Sequence, residues 1–445
     1  MIEAKCPIDP VRPGILVVVN EPPREWADCF RSLEREALRQ QIPLRICALD
    51  NVTTGKLLQG SNAELASHWN LSQAVAGMLG DYPELATLLL VTAPMSAPDK
   101  MLDRALAWMA ADSRIATISF LSNAAGALSF PHRNTASVDG IPGYDECTAT
   151  ARLRELQPDT GAVPIPMPAG PAILVNRSIL SAVGGFDPAL DSRPKESIAE
   201  MALRMSRRGF QHRLDAGTFV NAQRFEGFPA IEAAEDEGAR HRLGQIDSSF
   251  LALYDQQKHG DTSPAAIAMN VARSKVVGLR ILIDGSCLGP MEMGTQVQTV
   301  ELIRALSRRQ DVWSIAVAVP HAHMPAYAAD LISDNKIRVY DSHELQFTGA
   351  EHYDILHRPF QPDRPIPWER WRSLAKRVVV TLQDLIAYRI GAYHPGGAEW
   401  LQYRSNINDA CARADAVVAI SEDTRQSIEE ERLDIASEEI FIVKN

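Results

Sequence analysis

Glu196 and Glu200 have the type and spacing that acid–base chemistry needs. They lie four residues apart in a segment that predicts a helix over residues 196–208, so both carboxylates fall on one helix face. An ionised carboxylate that reaches an acceptor hydroxyl can take its proton as a general base. Acidic residues in a first turn also stabilise a helix N-terminus. The residues alone favour this stabilising role, and the catalytic role stays open.

A glycine-containing loop in the second half of the chain has the form of a ligand-binding loop. An apolar strand at residues 280–285 leads into the loop 289–296, which contains Gly294, and a helix is predicted over residues 300–306. Backbone N–H groups at such a helix start face a ligand in Rossmann-like folds. Gly294 permits close backbone approach there, and whether a ligand binds is left open.

Gln383 and Asp384 follow a predicted strand at residues 377–382. Open α/β sheets bind ligands at the carboxyl ends of their strands, although Asp384 can equally accept hydrogen bonds from backbone amides of the next loop. His352 and His357 are interpreted as surface residues at a strand end rather than as metal ligands. The chain has no HExxH, no Walker loop and no convincing GxGxxG, so hydrolase, kinase and dehydrogenase functions lack support.

The composition is that of an ordinary soluble globular protein. The chain has 445 residues, 46% of them hydrophobic, and a formal net charge of -11, which argues against nucleic acid or an anionic membrane as the main partner. Six cysteines are scattered without a CxxC pair, which indicates reduced thiols in a cytosolic protein. The N-terminus does not read as a signal peptide, and the longest apolar runs, such as residues 85–91, are too short to span a membrane.

The order of elements predicts an α/β fold with parallel sheets, because strands alternate with helices. In the first half we predict strands at residues 14–20, 44–49, 86–92, 115–120 and 172–175, helices at 22–40, 64–79, 99–111, 196–208 and 232–244, and a loop-rich stretch at 137–168. In the second half we predict strands at residues 279–284, 314–320, 336–340, 355–358, 377–382 and 416–420. The expected organisation is two Rossmann-like units: a first domain over residues 1–258, a linker over 259–275 and a second domain over 276–445.

The first half resembles the GT-A type glycosyltransferases of family two. The resemblance covers residues 14 to about 225, and its most specific part is Gly184-Gly185-Phe186-Asp187 followed by Ala202-Leu203-Arg204 and Arg207-Arg208-Gly209-Phe210. It implies a nucleotide-diphospho-sugar transferase fold in which Asn20, Asp50 and Asn51 bind the nucleotide. For Asp50 the alternative is a purely structural turn, since Asp-Asn-x-Thr is favourable turn chemistry.

The sequence departs from that family where metal and base are expected. Pro94 stands in the place of the metal-binding aspartate, and no carboxylate follows before Asp99. Carboxylate oxygens would be needed to hold Mg²⁺ or Mn²⁺ on a diphosphate, so a divalent metal is in doubt and the cofactor stays unknown. The family takes its base from an acidic pair before the Arg204 segment. Glu200 fits one acidic position of that pair, and Glu196 fits the base position after a two-residue slip.

Residues 278–445 resemble the N-terminal, acceptor-side half of the GT-B type glycosyltransferases of family four. The resemblance rests on the strand at 280–285, the Gly294 loop, and the stretches 378–385 and 414–422. It implies that an acceptor is bound by Gly294, Gln383, Asp384 and Ser421. Gln383 replaces a histidine that is usual in the family, and glutamine can donate a hydrogen bond to a sugar oxygen but cannot take a proton. The donor-binding half of that family is not recognisable in the chain.

Two functions from different classes follow. The first is transfer of a hexose from a nucleotide-sugar to a glycan or a lipid-linked acceptor, in the synthesis of a surface polysaccharide or glycoconjugate. The second is a catalytically silent adaptor or glycan-binding partner of an active glycosyltransferase, which Pro94 and the missing donor half favour. A third hypothesis is that the sequence is a fragment of a longer multidomain transferase. The expected location is the cytoplasm, with peripheral attachment at the inner membrane face as the alternative.

Overall fold

The computed structural model describes residues 12–19, 26–48, 64–67, 70–137, 140–141, 143–156, 162–190, 194–223, 237–259, 263–343 and 353–444. Asn20, Asp50, Asn51 and His352 lie outside the described residues. The chain divides into two compact units, Met1–Val276 and Val277–Asn445. Over these ranges no helix combines the length and the apolar character that crossing a bilayer requires.

The first unit begins with a buried apolar strand and alternates strands and helices for most of its length. Its strands are β1 (Pro13–Val19), β2 (Leu44–Ala48), β3 (Glu64–Ser67), β4 (Thr87–Val91), β5 (Met95–Ser96), β6 (Ile115–Ser122), β7 (Val163–Ile165), β8 (Ala172–Asn176) and β9 (Gln211–Ala222). Its helices are α1 (Trp26–Gln40), α2 (Leu71–Asp81), α3 (Met101–Ala111), α4 (Glu146–Leu156), α5 (Arg177–Ala182), α6 (Pro194–Arg207), α7 (Glu237–Ile246), α8 (Phe250–His259) and α9 (Pro264–Val276). Short 3₁₀ turns lie at Gly126–Leu128 and Pro188–Leu190.

The sheet of the first unit is mixed, which corrects the expectation of a parallel sheet. Within the described residues its order is β3-β2-β1-β4-β8-β6-β9-β5, with β7 paired to β9. Strand β8 runs antiparallel to both β4 and β6, with Leu174 opposite Leu89 and Ile118. The central strands β1 and β4 are buried along their whole length, as expected for strands that are covered on both faces.

Three local predictions in the first unit are wrong. Residues 64–67, predicted as helix, form strand β3 beside β2, because Asn70 caps the helix instead: its Oδ1 accepts the N–H of Gln73 at 2.9 Å, and α2 begins at Leu71. Helix α4 lies within the stretch predicted as loop. Strand β9 was not predicted at all, since polar residues interrupt its apolar pattern.

The expected linker at residues 259–275 is largely a helix of the first unit. Ser263 caps α9, since its Oγ accepts the N–H of Ala266 at 3.1 Å, and Pro264 occupies the first helical position, where its missing N–H costs nothing. The helix buries Ala265, Met269 and four other residues. The Ser-Pro pair therefore marks a helix start rather than a flexible connection.

The second unit is a regular α/β layer structure. Its strands are β10 (Leu279–Asp284), β11 (Val312–Val319), β12 (Ile337–Asp341), β13 (Tyr353–Arg358), β14 (Ala375–Leu382), β15 (Ala416–Ala419) and β16 (Ile440–Ile442). Its helices are α10 (Gly294–Ser307), α11 (Trp368–Leu374), α12 (Ile386–Arg389), α13 (Gly397–Arg413) and α14 (Glu422–Glu430), with 3₁₀ turns at Pro320–Ala322, Ala326–Ser333, Gly391–Tyr393 and Ser437–Glu439.

All the strand pairs of the second sheet within residues 279–343 and 353–442 are parallel, in the order β12-β11-β10-β13-β14-β15-β16. The chain moves outward from β10 in one direction and from β13 in the other, which is the doubly wound Rossmann-like arrangement. The point where the order reverses lies between β10 and β13. Ligands in such sheets bind at the carboxyl ends of the strands that flank this point. In this unit those ends are Asp284 and Arg358.

Candidate functional site

The predicted nucleotide site of the first unit is described only up to the strands that lead into it. Strands β1 and β2 are adjacent and parallel, with Val18 opposite Cys47, so their carboxyl ends lie at one edge of the sheet. Asn20 follows β1, and Asp50 and Asn51 follow β2. All three lie outside the described residues, so their nucleotide-binding role stays a prediction.

The segment after β4 does not have the chemistry of a metal site. Met95 and Ser96 pair with Ala222 and Asn221 of β9, and the carbonyl oxygen of Pro94 accepts the N–H of Gln223 at 2.9 Å. Nowhere in the described parts of the chain do three or more His, Cys, Asp or Glu side chains form a group that could hold a metal ion. The residues present here therefore do not fit the metal of the resembled family, and no step is assigned to one.

Glu200 is bound to an arginine that also holds the glycine turn. Arg204 donates from Nε and Nη2 to the two carboxylate oxygens of Glu200, at 2.5 and 2.7 Å. The same guanidinium donates to the carbonyl oxygens of Val183 and Gly185. Gly184 and Gly185 have φ of 91° and 76°, a conformation that side chains strongly disfavour. The motif residues thus form one bonded unit, which we call the Arg204 turn.

Glu196 is bound in the same way by a different helix. Arg242 of α7 donates from Nε and Nη2 to the two carboxylate oxygens of Glu196, at 2.7 and 2.6 Å. The side chains of Glu196 and Glu200 are only 14% and 12% exposed. Each predicted catalytic carboxylate therefore has a bidentate arginine partner, the geometry of a strong structural ion pair. A base role for either one would require that pair to open.

Gln383 links three elements at the carboxyl edge of the second sheet. Its Nε2 donates to Thr295 Oγ1 at 3.2 Å and to Gln298 Oε1 at 3.0 Å, both on α10. Its backbone N–H donates to Gln361 Oε1 at 2.8 Å. Its carbonyl oxygen accepts the hydroxyl of Thr424 at 3.0 Å. Gln383 thus connects the start of α10, through its side chain, to the start of α14, through its backbone carbonyl.

The four predicted acceptor residues are partly brought together by this network. Gly294 begins α10 next to Thr295, and Ser421 caps α14, where its Oγ accepts the N–H of Thr424 at 3.1 Å. A Cβ added at Gly294 would meet no described atom within 4 Å, so the packing of this unit does not require a glycine there. Asp384 is exposed at the same edge. Its Oδ1 accepts the N–H of Ile386 at 2.9 Å, which is the turn role that the sequence also allows, and its acceptor-binding role stays a prediction.

A cavity of about 210 Å³ lies at the reversal point of the second sheet, and we call it the switch-point cavity. Asp284 and Arg358 line it at the ends of β10 and β13, with Ser286 and His343 from two loops and Trp371 from α11. Asp284 Oδ2 and Arg358 Nη1 are 3.6 Å apart. Arg358 is 6% exposed, and burial lowers its pKa. Sequence reasoning missed this pair; the signal was a charged residue at the end of each of two buried central strands.

His357 is half-buried near the end of β13, which corrects in part the surface position that the sequence predicted. It lies on the sheet face opposite Arg358, and its Nε2 is 2.9 Å from Thr381 Oγ1. Desolvation lowers the pKa of His357 to about 4, so the ring is neutral near pH 7. Its environment is that of a structural side chain within the sheet.

No protein-family model matches the sequence, and no curated protein matches it. Solved structures do match. GalNAc-T7 with UDP, GalNAc and Mn²⁺ is 13% identical, over 59% of this chain and 54% of that one, with a TM-score of 0.37. The mannosyltransferase PcManGT from Pyrobaculum calidifontis, in complex with GDP-Man and Mn²⁺, is 14% identical over 60% of this chain and 76% of that one, with a TM-score of 0.33. Glucosyl-3-phosphoglycerate synthase from Mycobacterium tuberculosis, in complex with Mg²⁺ and UDP, is 9% identical over 56% and 79%, with a TM-score of 0.32. This chain thus spans about half the length of GalNAc-T7, and similarity at this level carries no information on its own substrate.

Proposed function

We propose that this chain is a glycosyltransferase-family protein that binds a nucleotide-sugar through its first unit. The observation that carries the proposal is the Arg204 turn. The most specific motif of the family-two resemblance is split between residues 184–187 and 202–210. Arg204 joins the two parts through the carbonyl oxygens of Val183 and Gly185. Residues separated by some 20 positions thus serve one local structure, which supports common descent better than a chance match of short motifs.

The order of the first sheet supports a nucleotide site at the ends of β1 and β2. Because these strands are adjacent and parallel, Asn20 and Asp50 would follow neighbouring strand ends. In the proposed function they bind the nucleotide of a hexose donor, with a glycan or lipid-linked acceptor in the synthesis of a surface polysaccharide or glycoconjugate. The second unit would be the acceptor-side half of a GT-B type architecture, with Gly294, Gln383, Asp384 and Ser421 facing the acceptor.

A specific observation favours a second candidate, a catalytically silent adaptor or glycan-binding partner of an active glycosyltransferase. Both carboxylates proposed as base are held by arginines, at Arg242 and Arg204. Both oxygens of each carboxylate accept from a guanidinium, so each side chain would have to leave its arginine to reach an acceptor hydroxyl. The segment 92–98 supplies no carboxylate for a metal either. This candidate retains nucleotide or glycan binding and lacks efficient transfer.

Calorimetric titration of the full chain with UDP, GDP and their sugar forms tests the shared claim of both candidates. We expect weak binding of a uridine or guanosine nucleotide with little dependence on Mn²⁺, and loss of that binding in Asp50→Ala. Absence of binding by every nucleotide would remove the donor site. A large enhancement by Mn²⁺ that disappears in Asp99→Ala would show that the metal site had been placed wrongly.

A further inference from the structure

We infer that the switch-point cavity of the second unit binds one uncharged sugar ring, held between Asp284 and Arg358. The inference rests on the proposed function, because it specifies a sugar as the ligand. It assigns that sugar to residues other than the four predicted acceptor residues, on the sheet face that α11 covers. The cavity measures about 210 Å³ and opens to solvent, so it exceeds the ~150 Å³ that hold a benzene ring and can take a sugar ring that keeps some of its hydroxyls outside.

At the floor of the cavity, Asp284 Oδ2 and Arg358 Nη1 lie close without a hydrogen bond between them, while Asp284 Oδ1 accepts the N–H of Ser286 at 3.0 Å. The 3.6 Å between Asp284 Oδ2 and Arg358 Nη1 is too long for a hydrogen bond. Nη2 of Arg358 is used by Gln361 O at 3.3 Å and by Asp363 Oδ1 at 3.1 Å. A separation of this kind between polar groups calls for a bridging oxygen, from water or from a ligand.

A hydroxyl group matches this pair better than an ion does. A hydroxyl donates one hydrogen bond and accepts others, so it can donate to Asp284 and accept from Arg358 at the same time. An anion would meet the carboxylate of Asp284, and Asp363 already opposes the charge of Arg358. A cation would meet the guanidinium groups of Arg358 and Arg370, both of which line the cavity. Neighbouring hydroxyls on a neutral ring avoid both repulsions.

The remaining walls suit the carbon face of a sugar ring and are held in place before binding. Leu282, Leu356, Trp371 and Leu374 supply an apolar wall, and an aromatic ring in such a wall packs well against C–H groups. The rim is fixed by two contacts at His343. Asp341 Oδ1 accepts its N–H at 2.8 Å, and Arg370 Nη2 donates to its carbonyl oxygen at 3.2 Å. A site built beforehand loses little entropy when it binds.

The test is titration of the full chain with D-glucose, D-galactose and D-mannose in turn, without nucleotide, followed by saturation-transfer NMR and calorimetry. We expect one saturable site for at least one hexose. Ser286→Trp should block it, since Ser286 is exposed at the rim and its change leaves the core intact. Asp284→Asn should weaken binding roughly tenfold or more, as loss of a hydrogen bond to a charged group does. Arg372→Gln, an exposed change on the same helix α11, should bind like the unaltered chain.

Two results would overturn the inference. The first is absence of hexose binding, or binding that Ser286→Trp leaves unchanged; a bridging water would then be the occupant. The second is tighter binding of glucuronate or inorganic phosphate than of neutral hexose, lost in Arg358→Gln, which would make the cavity an anion site. Because no nucleotide is present, either result is independent of whether the first unit binds a nucleotide-sugar.

Discussion

The hydroxyl of Thr117 and Nδ1 of His212 lie 2.8 Å apart across the paired strands β6 and β9. On the other side of the ring, Nε2 is 3.0 Å from the carbonyl oxygen of Ala202. Since a carbonyl only accepts, Nε2 carries the proton, and Nδ1 accepts from Thr117. His212 is thus held as a neutral ring inside the sheet, and desolvation lowers its pKa to about 4.

Because His212 is buried as a neutral ring, the folded protein should lose stability in acid. His212 and His357 both have folded-state pKa values near 4, below the ordinary value near 6.5. The unfolded chain therefore binds more protons between these values, and stability falls as pH drops from about 6.5 to 4, by up to about 3 kcal/mol for each histidine. Urea unfolding at pH 7.5 and pH 5 measures this. His212→Gln should reduce the pH dependence, and His323→Gln, at an exposed position, should leave it unchanged.

The contacts of the Arg204 turn predict that loss of the Arg204 side chain lowers the stability of the fold considerably. Arg204→Ala removes the partner of Glu200 and two donors to the glycine turn, so we expect a loss of about 2–4 kcal/mol in the free energy of unfolding. Arg207→Ala is the matched control on the same helix, since Arg207 is exposed, and should cost less than about 0.5 kcal/mol. Equal effects of the two changes in chemical denaturation would contradict the role assigned to Arg204.

The ion pairs at Glu196 and Glu200 predict that neither residue is a working base. We expect only trace transfer or donor hydrolysis from the purified chain, little altered in Glu196→Gln and Glu200→Gln. A true base would cost roughly 10²–10⁴-fold in rate with little change in nucleotide affinity. The measurement is product formation from labelled nucleotide-sugars. Robust turnover that collapses in one variant would establish a catalytic role and exclude the silent protein.

The packing of helix α9 predicts that an aspartate is strongly destabilising at Met269 but tolerated at Ile267. Met269 is 2% exposed and Ile267 is 53% exposed. Met269→Asp places an unpaired charge against the first unit and should cost several kcal/mol, whereas Ile267→Asp should be tolerated. Thermal unfolding of both full-length variants checks this. Equal stability of the two would mean that α9 does not pack as described, and would restore the linker interpretation.

Replacing Gln383 should loosen the start of α10 without destabilising the rest of the second unit. Gln383→Ala removes the bonds to Thr295 and Gln298 but leaves the backbone bonds to Gln361 and Thr424. Hydrogen exchange should become faster at the start of α10 and stay the same in α14. Asp384→Ala, which removes only the bond to Ile386, is the control and should leave α10 unchanged. Unaltered exchange at α10 in Gln383→Ala would show that the network does not fix the loop.

The sequence predicts strands well where apolar residues follow one another without interruption. The bounds expected for β10 are those observed, since its run Ile281-Leu282-Ile283 is apolar, as is usual in strands covered on both faces. Strand β9 lacks an uninterrupted apolar run, because it contains His212, Asp215 and Asn221. Two of them are fully or almost fully buried. Asp215 accepts hydrogen bonds from the nearby Gly217 and Thr218, but Arg104 also lies 3.9 Å from it, and His212 is bonded to Thr117, 95 positions away. Such partners cannot be read from a local pattern.

In the candidate site, too, the positions that depend on local sequence were predicted, and the pairs that depend on contacts between distant residues were not. Gln383 was predicted at a strand end because open α/β sheets bind ligands at the carboxyl ends of their strands, whereas Gly294 was predicted from its glycine loop and Ser421 from the family resemblance. The pairing of Glu196 with Arg242 depends on helix α7, some 46 positions away, and no spacing rule reveals it. Asp284 and Arg358 come together only once β10 and β13 are known to be neighbours.

Helix α9 ends at Val276 and β10 begins at Leu279, so Val277 and Gly278 are the whole covalent joint between the units. Gly278 has φ of +116°, and a Cβ added there would lie 2.9 Å from the carbonyl carbon of Asp311. One of the two joint residues therefore accepts no side chain without strain. The connection therefore contains only the few rotatable backbone bonds of these two residues, and not a flexible linker segment. Inserting residues would turn this connection into a flexible linker, whereas substituting Val277 or Gly278 would not.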